Sequence, residues 1–215
     1  MCIRDSWGWG SSFGDLDNDG DLDIYHVTGW VNAEKLDTIR KWNNKPARLF
    51  ENLGNSNFFD VASQVGADDL RQGRGVILFD FDNDGDLDIF ITNNQEFAIQ
   101  DGAALRTPGS PVLLRNDTPL PNHWLKVTIE AEPPLHRDGL GCKVFVTTGQ
   151  VTQMRELHAS TNFVAQEPGR IAHFGLGASS AVDELRVECA GGVVQTLEDI
   201  PADRHVNVNI EEAGT

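Results

Sequence analysis

Residues 79–90 read Phe79-Asp-Phe-Asp-Asn-Asp-Gly-Asp-Leu-Asp-Ile-Phe90. Asp80, Asp82, Asp84, Asp86 and Asp88 stand at every second position, with Gly85 among them. In an extended strand alternate residues share one face, so five like charges would repel along it. Either the backbone turns or the charge is neutralised. Gly85 permits the turn, because without a Cβ it reaches positive φ at no steric cost. A hard cation supplies the neutralisation: Ca²⁺ takes about six to eight oxygen ligands in a flexible shell, and Asp-x-Asp-x-Asp-Gly opens a Ca²⁺ loop. The apolar residues on either side, Val76, Ile77, Leu78 and Phe79 before and Leu87, Ile89, Phe90 and Ile91 after, read as strands entering and leaving. The stretch therefore predicts a strand–loop–strand calcium site. Its expected ligands are the side chains of Asp80, Asp82, Asp84 and Asp88 and the backbone carbonyl of Asp86. An EF-hand is excluded, since that motif needs flanking helices and a glutamate at its twelfth position, where this chain has Ile91. The alternative is an acidic turn held by Asx hydrogen bonds, with no metal.

A second copy lies upstream, at Phe13-Gly-Asp-Leu-Asp-Asn-Asp-Gly-Asp-Leu-Asp-Ile-Tyr25. Asp15, Asp17, Asp19, Asp21 and Asp23 align with the later five, Gly20 aligns with Gly85, and the two copies are 65 residues apart. A fixed period marks a repeat architecture. Two Ca²⁺ sites are expected.

The 215 residues carry 33 acidic and 17 basic side chains, a formal net charge of −16. That balance argues against nucleic acid and against anionic membrane surfaces. No stretch approaches the ~20 apolar residues of a membrane span, and residues 1–6 have neither the length nor the apolar core of a signal peptide. Those six residues fit no pattern in the rest of the chain. Three cysteines form no even framework. Cys142 and Cys189 lie in apolar segments and read as buried small hydrophobes, with a disulfide between them as the alternative.

Taken in order, residues 24–28 read as the strand leaving the first loop. Leu36, Ile39 and Trp42 permit one short helix on a connection. Arg-Leu-Phe-Glu-Asn over 48–52 and Asn-Phe-Phe-Asp-Val-Ala over 57–62 flank an Asn/Gly/Ser turn, which predicts a hairpin. The second repeat is expected to open at Val76, residues 95–111 to be a connection, and residues 111–116 to repeat the pattern of 48–52. Four short strands per unit, with an acidic loop between the first two, suggest propeller blades. At Pro-Leu-Pro-Asn, residues 119–122, the composition changes. Beyond it, seven runs between residues 123 and 210 alternate apolar and polar side chains, which predicts a second all-β unit. The chain is thus expected to be all-β: two repeats over 7–120 and a small β-sandwich-like domain over 121–211.

These motifs together resemble the cartilage acidic protein family, in which FG-GAP (VCBS) repeats precede an ASPIC/UnbV domain. The resemblance rests on the two acidic loops, on Leu-Phe-Glu-Asn-Leu-Gly over 49–54, Phe-Phe-Asp-Val-Ala over 58–62 and Gly-Arg-Gly-Val over 73–76. In the C-terminal part it rests on Asn-His-Trp-Leu over 122–125, Arg-Asp-Gly-Leu-Gly over 137–141, His-Phe-Gly-Leu-Gly over 173–177 and Val-Gln-Thr-Leu over 194–197. It implies a β-propeller whose loops bind Ca²⁺, secreted, with adhesion or matrix roles in animals. Cys142 and Cys189-Ala190 depart from the family pattern, which favours alanine and a Trp-Pro pair there. Two blades cannot close a ring, so the chain reads as the C-terminal piece of a longer protein.

No catalytic constellation stands out. The histidines are scattered, with no His-Glu-x-x-His, Ser179 and Ser180 lack a nucleophile elbow, and regularly spaced carboxylates give no pair of contrasting environments for acid–base work. The expected role is recognition or adhesion toward an extracellular protein or glycan, with Trp7, Trp9, Trp30 and Trp42 as candidates for an exposed patch. The alternative is a purely structural accessory unit of a larger secreted protein or enzyme. Asn116-Asp-Thr118 is a glycosylation sequon, disfavoured by Pro119. All-oxygen loops without His or Cys favour Ca²⁺ over Zn²⁺ and over Mg²⁺, which wants a tight octahedron. Isothermal titration is expected to rank Ca²⁺ first, and tighter binding of Zn²⁺ or Mg²⁺ would contradict the assignment.

Overall fold

Alternating apolar runs on both sides of an acidic turn fold back on themselves, and the two loops sit at the tips of two matching hairpins. The computed structural model describes residues 8–29, 45–100, 103–119, 121–159 and 170–210. The first loop joins β1 (Gly8–Gly14) to β2 (Asp23–Thr28), antiparallel, with Gly14 opposite Asp23. β3 (Arg48–Asn52) and β4 (Phe58–Asp60) form the expected hairpin and complete a sheet ordered β1-β2-β3-β4. A single helical turn, α1 (Ala62–Val65), follows and ends at Gly66. The second loop joins β5 (Gly73–Phe79) to β6 (Asp88–Asn93), with Phe79 opposite Asp88 as in the first copy.

The second unit departs from the expected pattern in one segment and, among the described residues, from the first unit in its strand count. Residues 95–111, expected as a connection, hold a separate two-stranded hairpin, β7 (Gln95–Gln100) and β8 (Ala103–Pro108). β9 (Val112–Leu114) then pairs with β6, giving the order β5-β6-β9, with no fourth strand among the described residues. After Leu114 the chain turns to both acidic loops, where Asn116 N donates to Asp88 Oδ1 and Asn116 Nδ2 donates to the Leu16 carbonyl. The repeat also opens earlier than expected, at Gly73. The helix expected around Leu36, Ile39 and Trp42 lies outside the described residues.

β1 and β2 pack against β5, and one core crosses both sheets. Tyr25, Val27 and Leu49 of the first meet Val76, Leu78, Ile89 and Ile91 of the second. Tyr25 is fully buried, and its hydroxyl is satisfied by donating to the Ala67 carbonyl at 2.7 Å.

The C-terminal unit has its own core. β10 (His123–Ala131) lies between β13 (Ala172–Gly177) and β16 (Arg204–Ile210), antiparallel to the first and parallel to the second. A second sheet runs β12 (Val151–Glu156), β11 (Lys143–Thr148), β14 (Ala181–Glu188), β15 (Val194–Pro201). Alternate residues of the two sheets face one another: Leu125, Val127, Phe174 and Val208 from one, Val144, Val146, Leu185 and Val187 from the other.

Cys142 and Cys189 form a disulfide, with sulfurs 1.97 Å apart, and are not separate buried thiols as expected. The register explains it. Lys143 stands opposite Glu188 on β11 and β14, so the residues just outside that pair face each other across two hydrogen-bonded strands. The bridge closes a 47-residue separation, for which a native disulfide contributes about 2–4 kcal/mol. Replacing both cysteines by alanine is expected to lower the unfolding free energy in urea by about that amount. An unchanged midpoint, with or without reductant, would contradict the bond.

Candidate metal centre

The two loops share one backbone. Asn18 and Asn83 adopt φ of 58° and 63°, and Gly20 and Gly85 both adopt 103°. Those left-handed positions reverse the chain and collect carboxylates that an extended strand would spread. In the first loop, carboxylate oxygens of Asp15, Asp17 and Asp19 lie within 4.8 Å of one another. In the second, Asp80, Asp82 and Asp88 converge in the same way, and Asp82 and Asp84 also converge with Asp117.

Carboxylates inside and outside these clusters also hold the backbone. Asp23 accepts from the amides of Leu16 and Asn52, both at 2.9 Å. Its counterpart Asp88 accepts from those of Phe81 at 2.6 Å and Asn116 at 2.8 Å. Asx bonds run from the Asp19 amide to Asp17, from the Asp21 amide to Asp19 and from the Asp86 amide to Asp84. Asp86 turns its side chain toward the other loop, where its Oδ1 accepts from Asn18 Nδ2 at 2.7 Å. The ten aspartates thus divide: six form two converging triads, Asp84 joins a rim cluster, Asp23 braces its loop and Asp86 ties the loops together. The Asp21 side chain lies outside these groups.

The C-terminal unit closes over both loops. Asp15 Oδ2 accepts from Gly20 N at 2.9 Å and Gly175 N at 3.1 Å. Gly177 N donates to the Asn18 carbonyl at 2.8 Å, and Asn122 Nδ2 donates to the Asp17 carbonyl at 2.8 Å. A Cβ on Gly175 would stand 2.2 Å from Asp15 Oδ2, so this approach requires glycine. On the second loop, Asp80 Oδ2 accepts from Gly85 N at 3.0 Å and Lys126 Nζ at 2.5 Å. His173 Nε2 donates to the Gly85 carbonyl at 2.8 Å, and Trp124 covers Gly85 so closely that a Cβ there would lie 1.9 Å from the indole nitrogen. A cavity of about 200 Å³ remains between the loops and this unit, lined in part by Asp15, Asp80, Lys126, Arg155, His158 and His173.

The donor set suits a hard cation. Three buried atoms of the site lack a hydrogen bond, Asn18 Oδ1, His173 Nδ1 and Asp80 Oδ1, and only the last belongs to a carboxylate. Asp80 Oδ1 is buried with no hydrogen bond, although its side chain is only 4% exposed. A buried carboxylate oxygen left unmatched is costly, and a divalent ion in the triad would satisfy it. The electrostatics agree. Burial, with neighbouring carboxylates adding to it, raises Asp15 to about 7 against the donation from Gly20 N–H. Burial likewise raises Asp23 to about 7 and Asp86 to about 6. His173 is pushed down to about 4 by burial, so it is neutral and its Nε2 carries the proton given to Gly85.

Several residues of the site were missed by sequence reasoning. Asn52 and Asn116 brace the two loops: Asn52 Nδ2 donates to the Leu22 carbonyl at 3.2 Å, and Asn116 Nδ2 donates to that of Leu16 at 2.7 Å. Their signal was present, since each closes the repeated pattern downstream of its loop. The sequon amide of Asn116 is therefore engaged internally. Gly175 and His173 belong to a motif noted only for its resemblance, and nothing in the sequence marked Lys126 or Asp117. Trp9, the described member of the four tryptophans, is no binding patch. Its Nε1 donates to the Gly29 carbonyl at 2.8 Å, and the Arg74 guanidinium lies 4.4 Å over its ring.

Raised carboxylate pKa values make the folded chain hold more protons than the unfolded chain between about pH 4, the ordinary Asp value, and about pH 7. Stability in chelator is therefore expected to fall as pH rises through that window. A melting midpoint in chelator that is higher at pH 8 than at pH 5.5 would contradict this.

Comparison with known proteins completes the picture. Residues 132–215 match the family described as ASPIC and UnbV, and residues 38–91 match the FG-GAP-like repeat. The chain is similar to cartilage acidic protein 1 of Xenopus tropicalis, 45% identical over 64 residues, which is 29% of this chain and 10% of that protein. It is also similar to cartilage acidic protein 1 of Mus musculus, 51% identical over 51 residues, 23% of this chain and 8% of that one. The matched stretches thus span about a tenth or less of these relatives. An FG-GAP-like repeat followed by an ASPIC and UnbV region, with local identity to cartilage acidic protein 1, bears out the resemblance to the cartilage acidic protein family.

Proposed function

We propose that the chain is a calcium-stabilised extracellular recognition or adhesion module, with its two loops as the ion sites. The observation that carries this reading is the buried, unpartnered Asp80 Oδ1 inside a converging carboxylate triad. Asx hydrogen bonds alone, the metal-free alternative, satisfy other oxygens and leave this one unmatched. Asp15, Asp17 and Asp19 would hold one ion, and Asp80, Asp82 and Asp88 the other. Each ion would neutralise its carboxylates and cross-link the turn between two strands.

The two N-terminal sheets are read as propeller blades, supported by their matching hairpin registers and their common core. The disulfide and the local identity to cartilage acidic protein 1 support an extracellular setting. Binding or bracing is the reading favoured over catalysis, and the engagement of buried Lys126 and His173 with the loops supports it. Partner contact through an exposed apolar surface is favoured by the β3–β4 hairpin, where Leu53, Phe58 and Phe59 are exposed. Among the described residues no helix is long and apolar enough to cross a membrane.

Millimolar Ca²⁺ is expected to raise stability by about 1 kcal/mol per site by mass action on the folded form. Asp17→Ala and Asp82→Ala should each remove one site's gain. Asp86→Ala should lower the midpoint equally in chelator and in Ca²⁺, because it removes the bond from Asn18. Thermal melts of these variants are the test. A wild-type midpoint that ignores Ca²⁺ would refute the reading, and an Asp86→Ala loss seen only with Ca²⁺ would refute the ligand assignment.

A further inference from the structure

The two loops have the same backbone but different surroundings. In each, one oxygen of the first aspartate accepts from the loop glycine and from one group of the C-terminal unit. For Asp15 that group is a neutral backbone amide, Gly175 N. For Asp80 it is the Lys126 ammonium at 2.5 Å, with both side chains buried at 7% and 4% exposure. The Lys126 ammonium also lies 5.0 Å from the centre of the Trp124 ring. A second cation, Arg115, lies 3.6 Å from Asp82 at the exposed rim. Among the described residues no Lys or Arg forms an ion pair with the aspartates of the first loop.

We infer that Lys126 is a resident counter-cation of the second loop, which makes that loop the weaker of two unequal Ca²⁺ sites and locks it to the C-terminal unit when calcium is scarce. This rests on the calcium reading above. A charge so close to a divalent ion opposes its binding by Coulomb repulsion, worth about tenfold in affinity even with near-aqueous screening. The same ammonium offsets carboxylate repulsion when no ion is bound, so the second loop and its contact with β10 persist without metal. Loop one has no ion-paired cation among the described residues, only the longer-range field of Arg155 on Asp15, and so depends more on the ion. Asp80 divides its two oxygens between these roles: Oδ2 faces Lys126, and Oδ1 is free of any hydrogen bond.

The test is calcium titration calorimetry on the full chain with Asp17→Asn, which silences loop one so that remaining heat reports loop two. Adding Lys126→Met, which keeps the stem and removes the charge, is expected to tighten that site at least tenfold. Lys126→Arg should leave it within about threefold. In chelator, Lys126→Met should melt lower than its parent, and it should gain more from millimolar Ca²⁺. If Lys126→Met is unfolded in chelator, recovery of the β circular-dichroism spectrum on adding Ca²⁺ supports the inference, and failure to recover opposes it. An affinity unchanged by Lys126→Met overturns the inference while leaving the calcium reading intact. No binding to either loop of the otherwise unaltered chain overturns both.

Discussion

Carboxylates brought together in a short turn repel, and every other feature of this molecule accommodates that constraint. A left-handed Asn and a left-handed Gly turn each loop tightly enough to collect the charges. Backbone amides from inside the loop, from the strand that follows and from the C-terminal unit are aimed at these carboxylates. Burial raises several of these acids toward neutral pH. A site with these properties binds positive charge, and the chain provides some of its own through Lys126.

The C-terminal unit is therefore more than a neighbour. β10 and β13 each touch the loops, and the contacts are specific to glycine, histidine and lysine at defined positions. Because Gly175 and Gly177 donate backbone N–H groups to loop one, any change in that loop's shape is felt at β13. A repeat unit and a sandwich with separate cores are in this way joined through the least apolar part of the structure. An interface built on charged and polar groups is screened by salt, whereas one built on apolar burial is not.

Local pattern made much of this legible. The period-2 aspartates around a glycine gave the strand–loop–strand units, and alternation beyond Pro121 gave the C-terminal strands. What escaped depends on register and on distant parts of the chain. Cys142 and Cys189 look like lone apolar residues until β11 and β14 are paired, and only then do they face each other. The β7–β8 hairpin carries no strict alternation, so residues 95–111 read as a connection. Asp86 was expected to act through its carbonyl. Its side chain also bonds Asn18, 68 residues away, which no reading of one loop could reveal. Lys126 sits in a strand whose alternate residues are core, and its burial against Asp80 follows only from how two units dock.

Whether both loops are ion sites, the first stronger than the second, is decided by an anomalous diffraction map. Crystals of the full chain would be soaked with graded concentrations of a lanthanide that replaces Ca²⁺. Two peaks are expected, the first filling beside Asp15, Asp17 and Asp19 and the second, only at higher concentration, beside Asp80, Asp82 and Asp88. Peaks elsewhere, or no peak in either loop at saturating ion, would contradict it.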